Sequence, residues 1–180
     1  MPQVYYSTII SAPLEKVWEM VRDFSSLPKW HPHVLATEIE DSCGPGCTAC
    51  IGCVRRIQLE KGEWMKEKLL ALSDADFTLT YSIVETKMKV ANFMGAITLT
   101  PVTSSDDTFA EWEAVFDVAE GGSEEETADA VLAHFSAGLE NLDEIFLGEY
   151  DVELSCRCNT EDKCTCGEDE DGGEKPRAEG

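Results

Sequence analysis

Val54-Arg55-Arg56-Ile57-Gln58-Leu59-Glu60 and Trp64-Met65-Lys66-Glu67-Lys68-Leu69-Leu70-Ala71 read as two neighbouring strands separated by Lys61-Gly62-Glu63. In the first, the apolar phase is Arg55, Ile57, Leu59; in the second it is Met65, Glu67, Leu69, Ala71, with Lys66 and Lys68 turned away. Successive side chains of a strand point to opposite faces, so Arg55 and Glu67 should both face inward. An unpaired buried charge costs several kcal/mol. The two are therefore expected to meet each other, or a ligand, inside a cavity.

Working outward, Val4–Ser11 is rich in β-formers and reads as a first strand. Ser11-Ala12-Pro13 opens a helix with proline near its first position, continued by Leu14, Val17, Trp18 and Val21 at helical spacing. Leu27-Pro28-Lys29-Trp30-His31-Pro32 is too broken by proline for a long helix and reads as a short turn. Downstream, Phe77, Leu79, Tyr81 and Ile83 alternate with Thr78, Thr80 and Ser82, a half-buried strand. Phe93–Val102 is apolar on both phases, so its inward face is ambiguous. Trp112, Ala114, Phe116 and Val118 oppose Glu111, Glu113 and Asp117, giving another half-buried strand.

Ser123-Glu124-Glu125-Glu126 is a capping box at the start of a long helix. Its apolar stripe is Ala128, Val131, Leu132, Phe135, Leu139, Leu142 and Phe146. Strands in direct succession need only hairpins, so the sheet should be antiparallel. One amphipathic helix cannot cover a sheet of six or seven strands unless that sheet curves around it. The expected class is α+β, a curved sheet gripping a helix, and the space left between them is where small ligands bind.

The chain has 180 residues, with 36 acidic against 14 basic and a net charge of −22. Such a field repels nucleic acid and anionic membranes. No apolar run approaches the ~20 residues of a membrane helix. The opening Met1-Pro2-Gln3-Val4 has neither a basic nor an apolar leader, so the expected location is the cytoplasm, where most of the eight cysteines stay reduced or bind metal; an oxidising compartment would instead pair them as disulfides. Oligomeric state is not legible.

Several motifs occur in order: Ser11-Ala12-Pro13 to Val17-Trp18, Asp23-Phe24, Trp30-His31-Pro32, Gly52-Cys53-Val54-Arg55-Arg56, Glu67-Lys68-Leu69-Leu70, Tyr81-Ser82-Ile83 and Ala137-Gly138-Leu139-Glu140-Asn141-Leu142. Together this set resembles the SRPBCC (START-like, helix-grip) superfamily, in its polyketide cyclase/dehydrase and lipid-transport branch. The resemblance implies a seven-stranded curved antiparallel sheet around a long C-terminal helix, with two short helices after the first strand and a hydrophobic cavity. The resemblance covers roughly residues 3–147, and a helix-grip ligand-binding domain is expected over residues 1–149. Residues 150–180 are left as an acidic, cysteine-containing tail, which its composition marks as disordered unless metal orders it. Members include ligand carriers, plant hormone receptors and cyclases. The lachrymatory-factor synthases are similar across Gly52-Cys53-Val54-Arg55 and Lys66-Glu67-Lys68-Leu69, which implies Arg55 and Glu67 as a catalytic pair and Tyr81 as a cavity tyrosine. A second cavity tyrosine of those enzymes falls on Phe93, so one hydroxyl is missing. The receptors' serine-glycine-leucine-proline-alanine gate and ligand-carboxylate lysine have no counterpart; Glu60-Lys61-Gly62-Glu63 is a tight turn here.

For Arg55 and Glu67, two readings stand: an ion pair that fixes strand register, or a pair that polarises or deprotonates a cavity ligand. Tyr81, on an inward phase, is a third polar candidate whose hydroxyl wants a partner. Trp30, Phe93, Trp112, Phe116, Phe135 and Leu139 are candidates for the ligand-binding wall or ordinary core. His31 and His33 flank Pro32 in a loop, where a histidine is generally solvated. Cys43, Cys47, Cys50 and Cys53 contain a C-x2-C-x2-C run, and Cys156, Cys158, Cys164 and Cys166 form paired C-x-C steps suited to a soft metal such as zinc. The leading functional reading is a protein that binds a small, mainly hydrophobic molecule, requires no cofactor, and catalyses cyclisation, isomerisation or dehydration. The alternatives are a non-catalytic carrier or sensor, and a metal-binding or redox module.

Overall fold

The computed structural model describes residues 1–41, Gly44 and 47–155, with side chains described to residue 148. In chain order the elements are β1 (Gln3–Ile10), α1 (Leu14–Val21), α2 (Leu27–Trp30), β2 (Val34–Asp41), β3 (Val54–Leu59), β4 (Trp64–Ser73), β5 (Thr78–Thr86), β6 (Val90–Val102), β7 (Asp107–Val118) and α3 (Glu124–Ser155). One seven-stranded sheet runs β1-β7-β6-β5-β4-β3-β2, and every neighbouring pair is antiparallel. Strands β2 to β7 follow one another as hairpins. By contrast β1 and β2, adjacent in the chain, occupy opposite edges, and α1 and α2 carry the chain across.

Sequence signals account for most boundaries. Pro13 caps α1, and Pro28 sits within the first two positions of α2, where its missing N–H is not needed. The stretch read as a short turn is thus a single helical turn. At the start of α3 the Glu126 N–H donates to Ser123 Oγ at 3.4 Å, one arm of the capping box, and three glutamates in the first turn complement the helix dipole. The helix continues to Ser155, past Tyr150 where the charge-rich segment begins.

Curvature comes from irregularities in the ladder. Register shifts occur in β2, β4 and β6, and such bulges bend a strand and increase its twist. The shift between Ala91 and Met94, with Asn92 at φ 50°, resolves the ambiguous strand. Val90 and Phe93 both turn inward across it, followed by Ile97 and Leu99. From Phe93 on, the inward phase is regular, and the outer phase looks apolar because it carries Met94, which is exposed, and Ala96.

The core lies between the concave face of the sheet and α3. Trp112 of β7 stacks on Phe135 of α3 with centroids 4.4 Å apart and planes 9° apart. From the same stripe Val131, Leu139, Leu142 and Phe146 are buried, whereas Leu132, at its margin, is exposed. Gly138 lets α3 approach the rings beneath it closely. A Cβ there would stand 2.8 Å from His31 Cδ2 and 2.9 Å from Trp112 Cζ3.

In an open helix, alanine is favoured over glycine by about 1 kcal/mol. Gly148→Ala, with nothing within 4 Å of the new Cβ, should therefore raise stability. Gly138→Ala should reverse the sign and lower it by about 1–3 kcal/mol through overpacking. Urea denaturation of the two variants checks the reversal.

Candidate functional site

Between the sheet and the first turns of α3 lies a cavity of about 260 Å³. Its wall includes Glu67 (β4), Tyr81 and Ile83 (β5), Phe93 (β6), and Val131, His134 and Phe135 (α3). Leu59, Met88, Ala130, Ala133 and His33 stand toward the mouth, less buried than the interior. The volume falls near the low end of the roughly 300–1,000 Å³ common for small-molecule sites.

Arg55 and Glu67 are directly opposite in the β3–β4 ladder. They are 5% and 3% exposed, so the inward reading of both strands holds. Arg55 Nε and Nη2 donate to the same carboxylate oxygen, Glu67 Oε2, at 2.8 and 2.6 Å. Nη1 donates to the Phe24 carbonyl at 2.7 Å, and the guanidinium lies 3.9 Å from the centroid of the Phe24 ring. Arg55 does not line the cavity; it stands behind Glu67. Burial pushes the Glu67 carboxyl above its ordinary value, and the Arg55 charge pulls it back.

The second oxygen of Glu67 has no protein partner among the described residues. Thr37 Oγ1 is the one fully enclosed side-chain polar atom among them without a partner. Glu67 Oε1 is thus not sealed off: it opens onto the cavity that Glu67 lines. The Tyr81 hydroxyl accepts from Trp112 Nε1 at 3.0 Å, and its own proton has no acceptor among the described residues. Burial, reinforced by the Glu67 charge, holds this hydroxyl well above its ordinary pKa, so it stays a donor. Gly95 is paired with Tyr81 in the ladder. A Cβ at Gly95 would come within 2.7 Å of the Tyr81 ring, so the tyrosine's pose depends on a residue without a side chain.

Of the apolar candidates, Phe93 and Phe135 line the cavity. Trp30, Trp112, Phe116 and Leu139 do not; they are buried one layer deeper. Trp112 is sandwiched among Trp30, His134 and Phe135, and Phe116 stacks behind Phe93 at 5.8 Å. Strand and helix periodicity identifies the inward face but not the depth of each residue.

His31 is 1% exposed, contrary to the solvated loop position expected of it. The turn of α2 tucks it beneath Gly138, where its ring stacks on His134 with centroids 3.9 Å apart. Its Nδ1 accepts from the His33 N–H at 3.2 Å, which leaves Nε2 to donate to the His134 carbonyl at 3.0 Å. This arrangement needs a neutral ring, and burial lowers its pKa to about 4. His33 stays exposed, facing Glu60 Oε2 at 3.4 Å. His134 escapes a reading of the sequence alone. The cue available is its place beside Phe135 on the helix stripe.

No group of three or more metal-ligating side chains is assembled among the described residues. Cys47 is disulfide-bonded to Cys50, and Cys53 is a free, buried thiol whose pKa burial raises. Cys43 and the proposed metal ligands Cys156, Cys158, Cys164 and Cys166 lie outside the described residues. No helix among the described residues is long and apolar enough to cross a membrane.

Two measurements follow from this geometry. Arg55→Leu and Glu67→Leu should each destabilise by about 3–5 kcal/mol, since each strands a buried charge, whereas the double variant should lose less than the sum. Denaturant titration of the three variants reads this coupling. His31 is the second case: its folded pKa, about 4, lies below the ordinary 6.5. The unfolded chain therefore binds the extra proton between those values, and stability should fall as pH drops through that window. A melting curve against pH should show that slope, shallower in His31→Asn.

Comparison with known proteins places this geometry in a family. Residues 1–146 match the family described as polyketide cyclase / dehydrase and lipid transport. The chain is 30% identical over 141 residues to abscisic acid receptor PYL10 of Arabidopsis thaliana, covering 76% of this chain and 74% of the receptor. To abscisic acid receptor PYL7 of the same plant it is 25% identical over 138 residues, covering 74% of this chain and 63% of the receptor. Among solved structures, the protein XoxI from Bacillus cereus superposes with a TM-score of 0.73 at 29% identity, over 85% of this chain and 99% of the other. A protein from Bacillus thuringiensis gives 0.71 at 29%, over 81% and 99%. The chain belongs to the polyketide cyclase / dehydrase and lipid transport family and has its ligand-binding helix-grip fold.

Proposed function

We propose that this protein binds a small, mainly hydrophobic molecule in the cavity between sheet and α3, in the cytoplasm, and performs acid–base chemistry on it. The observation that carries this reading is a pair of unused polar atoms on the sheet side of a mainly apolar chamber: Glu67 Oε1, an acceptor, and the Tyr81 O–H, a donor. A carboxylate whose pKa burial raises is a better base than one in water, and a neutral phenol can hold an oxygen on which negative charge develops. Glu67 takes the proton and Tyr81 orients the substrate. Arg55 acts through Glu67, fixing its rotamer and balancing its charge. Cyclisation, isomerisation and dehydration all use such a proton transfer.

A carrier without chemistry is the second reading. It is favoured by the way Arg55 is occupied, since it commits three of its donors to Glu67 Oε2 and the Phe24 carbonyl and does not itself line the cavity. Abscisic acid, from which the related receptors take their name, is not the ligand we infer, because no lysine among the described residues lines this cavity.

The test begins with native mass spectrometry of protein purified from cells, where a retained small molecule is expected. Conversion of that molecule or its precursor should disappear in Glu67→Gln while binding persists. Tyr81→Phe should weaken binding by about 0.5–1.5 kcal/mol, the net worth of one hydrogen bond. Unchanged turnover in a folded Glu67→Gln would remove Glu67 from the chemistry and leave the carrier.

A further inference from the structure

The polar inventory of the cavity says what kind of ligand it takes, given the ligand-binding reading above. Arg55 and Glu67 cancel one another at 2.6 Å, so the chamber's fixed charge sums to zero. Among the described residues no free cation lines it. His33 is at the mouth, about half exposed and turned toward Glu60. A carboxylate or phosphate ligand would therefore be stripped of water without a positive partner. It would also approach through the field of a chain with net charge −22. An ammonium ligand would meet Glu67 Oε1 but with the Arg55 guanidinium on the same carboxylate, and their repulsion offsets the gain.

Three side chains in the wall have hydrogen-bonding capacity left over. Glu67 Oε1 accepts and the Tyr81 hydroxyl donates. The third is His134, which also lines the cavity. Its ring nitrogens have no hydrogen-bond partner among the described residues; the bond from His31 goes to its main-chain carbonyl. The ring is fixed by stacking on His31 at 3.9 Å and by Trp112 at 5.7 Å. Trp112 in turn donates to Tyr81, so His134 and Tyr81 flank the same indole. Burial and the neighbouring His31 keep His134 well below its ordinary pKa, hence neutral, with one N–H and one lone pair.

We propose that the cavity selects a neutral, oxygenated molecule, a hydroxy-carbonyl compound on a short apolar frame, and that the His134 ring on α3 binds one of its oxygens. The hydroxyl donates to Glu67 Oε1, the carbonyl accepts from Tyr81, and His134 meets whichever oxygen projects toward the helix. The rest of the wall, from Leu59 and Met65 to Phe93 and Phe135, is apolar and surrounds the frame.

The experiment uses three eight-carbon probes at pH 7.5: 4-hydroxy-2-octanone, octanoate and octylammonium. Binding is followed by methyl NMR at Leu59, Ile83 and Val131, and the His134 ring by its side-chain ¹⁵N shifts. The hydroxyketone should bind at least about tenfold more tightly than either charged probe. It should also move the His134 ring ¹⁵N signals, which a purely structural histidine would not show. His134→Phe, similar in bulk, should cost it about two- to tenfold. Octanoate or octylammonium binding as tightly as the hydroxyketone overturns the neutral-ligand inference. Unmoved His134 signals in the bound state overturn the role of that ring. If none of the probes shifts the cavity methyls, the cavity reading itself falls, and this inference with it.

Discussion

Arg55 holds three parts of the molecule together at once. Its guanidinium closes on Glu67 from β4, donates to the carbonyl of Phe24 in the segment between α1 and α2, and lies over the Phe24 ring. A charge buried to this depth is tolerated only when every contact is in place. The pair therefore fixes the β3–β4 register and ties the crossover helices to the sheet. That crossover matters because α1 and α2 connect the two outer edges of the sheet.

Two glycines set how tightly the interior packs beside the chamber. Gly95 lets the Tyr81 ring lie against β6, and Gly138 lets Trp30, His31 and Trp112 crowd under α3. Where backbone and ring approach this closely the interior is solid, with Trp112 stacked on Phe135. Toward the start of α3, Ala130 and Ala133 replace bulk with small side chains, and the packing gives way to open volume. The cavity is the part of the sheet–helix interface left unfilled.

Much of this was legible from alternation and spacing. Hairpin strands, the capping box at Ser123, the apolar stripe of α3 and the inward turn of both Arg55 and Glu67 follow from periods of two and 3.6 residues. The bulge at Ala91–Met94 was not legible, because an inserted residue erases the period that would reveal it. Nor was the division of the aromatic residues between wall and core. Phe135 and Phe146 share one helix stripe, yet the first lines the cavity and the second does not. His31 and His134 lie far apart in the chain, and neither carries a local signal of the stack they form.

By itself, the sequence determined the architecture and the burial of one opposed pair of charges, since side-chain period and the cost of an unpaired buried ion are local matters that a single strand exposes. Only the tertiary structure decided which atoms remain unused. Arg55 directs its donors to Glu67 and Phe24, leaving Glu67 Oε1, the Tyr81 proton and the His134 ring nitrogens without partners among the described residues, on three side chains that line the cavity. Hydrogen-bond capacity left over is a property of the whole assembly: it depends on what every neighbour has already taken, and no stretch of chain contains that information.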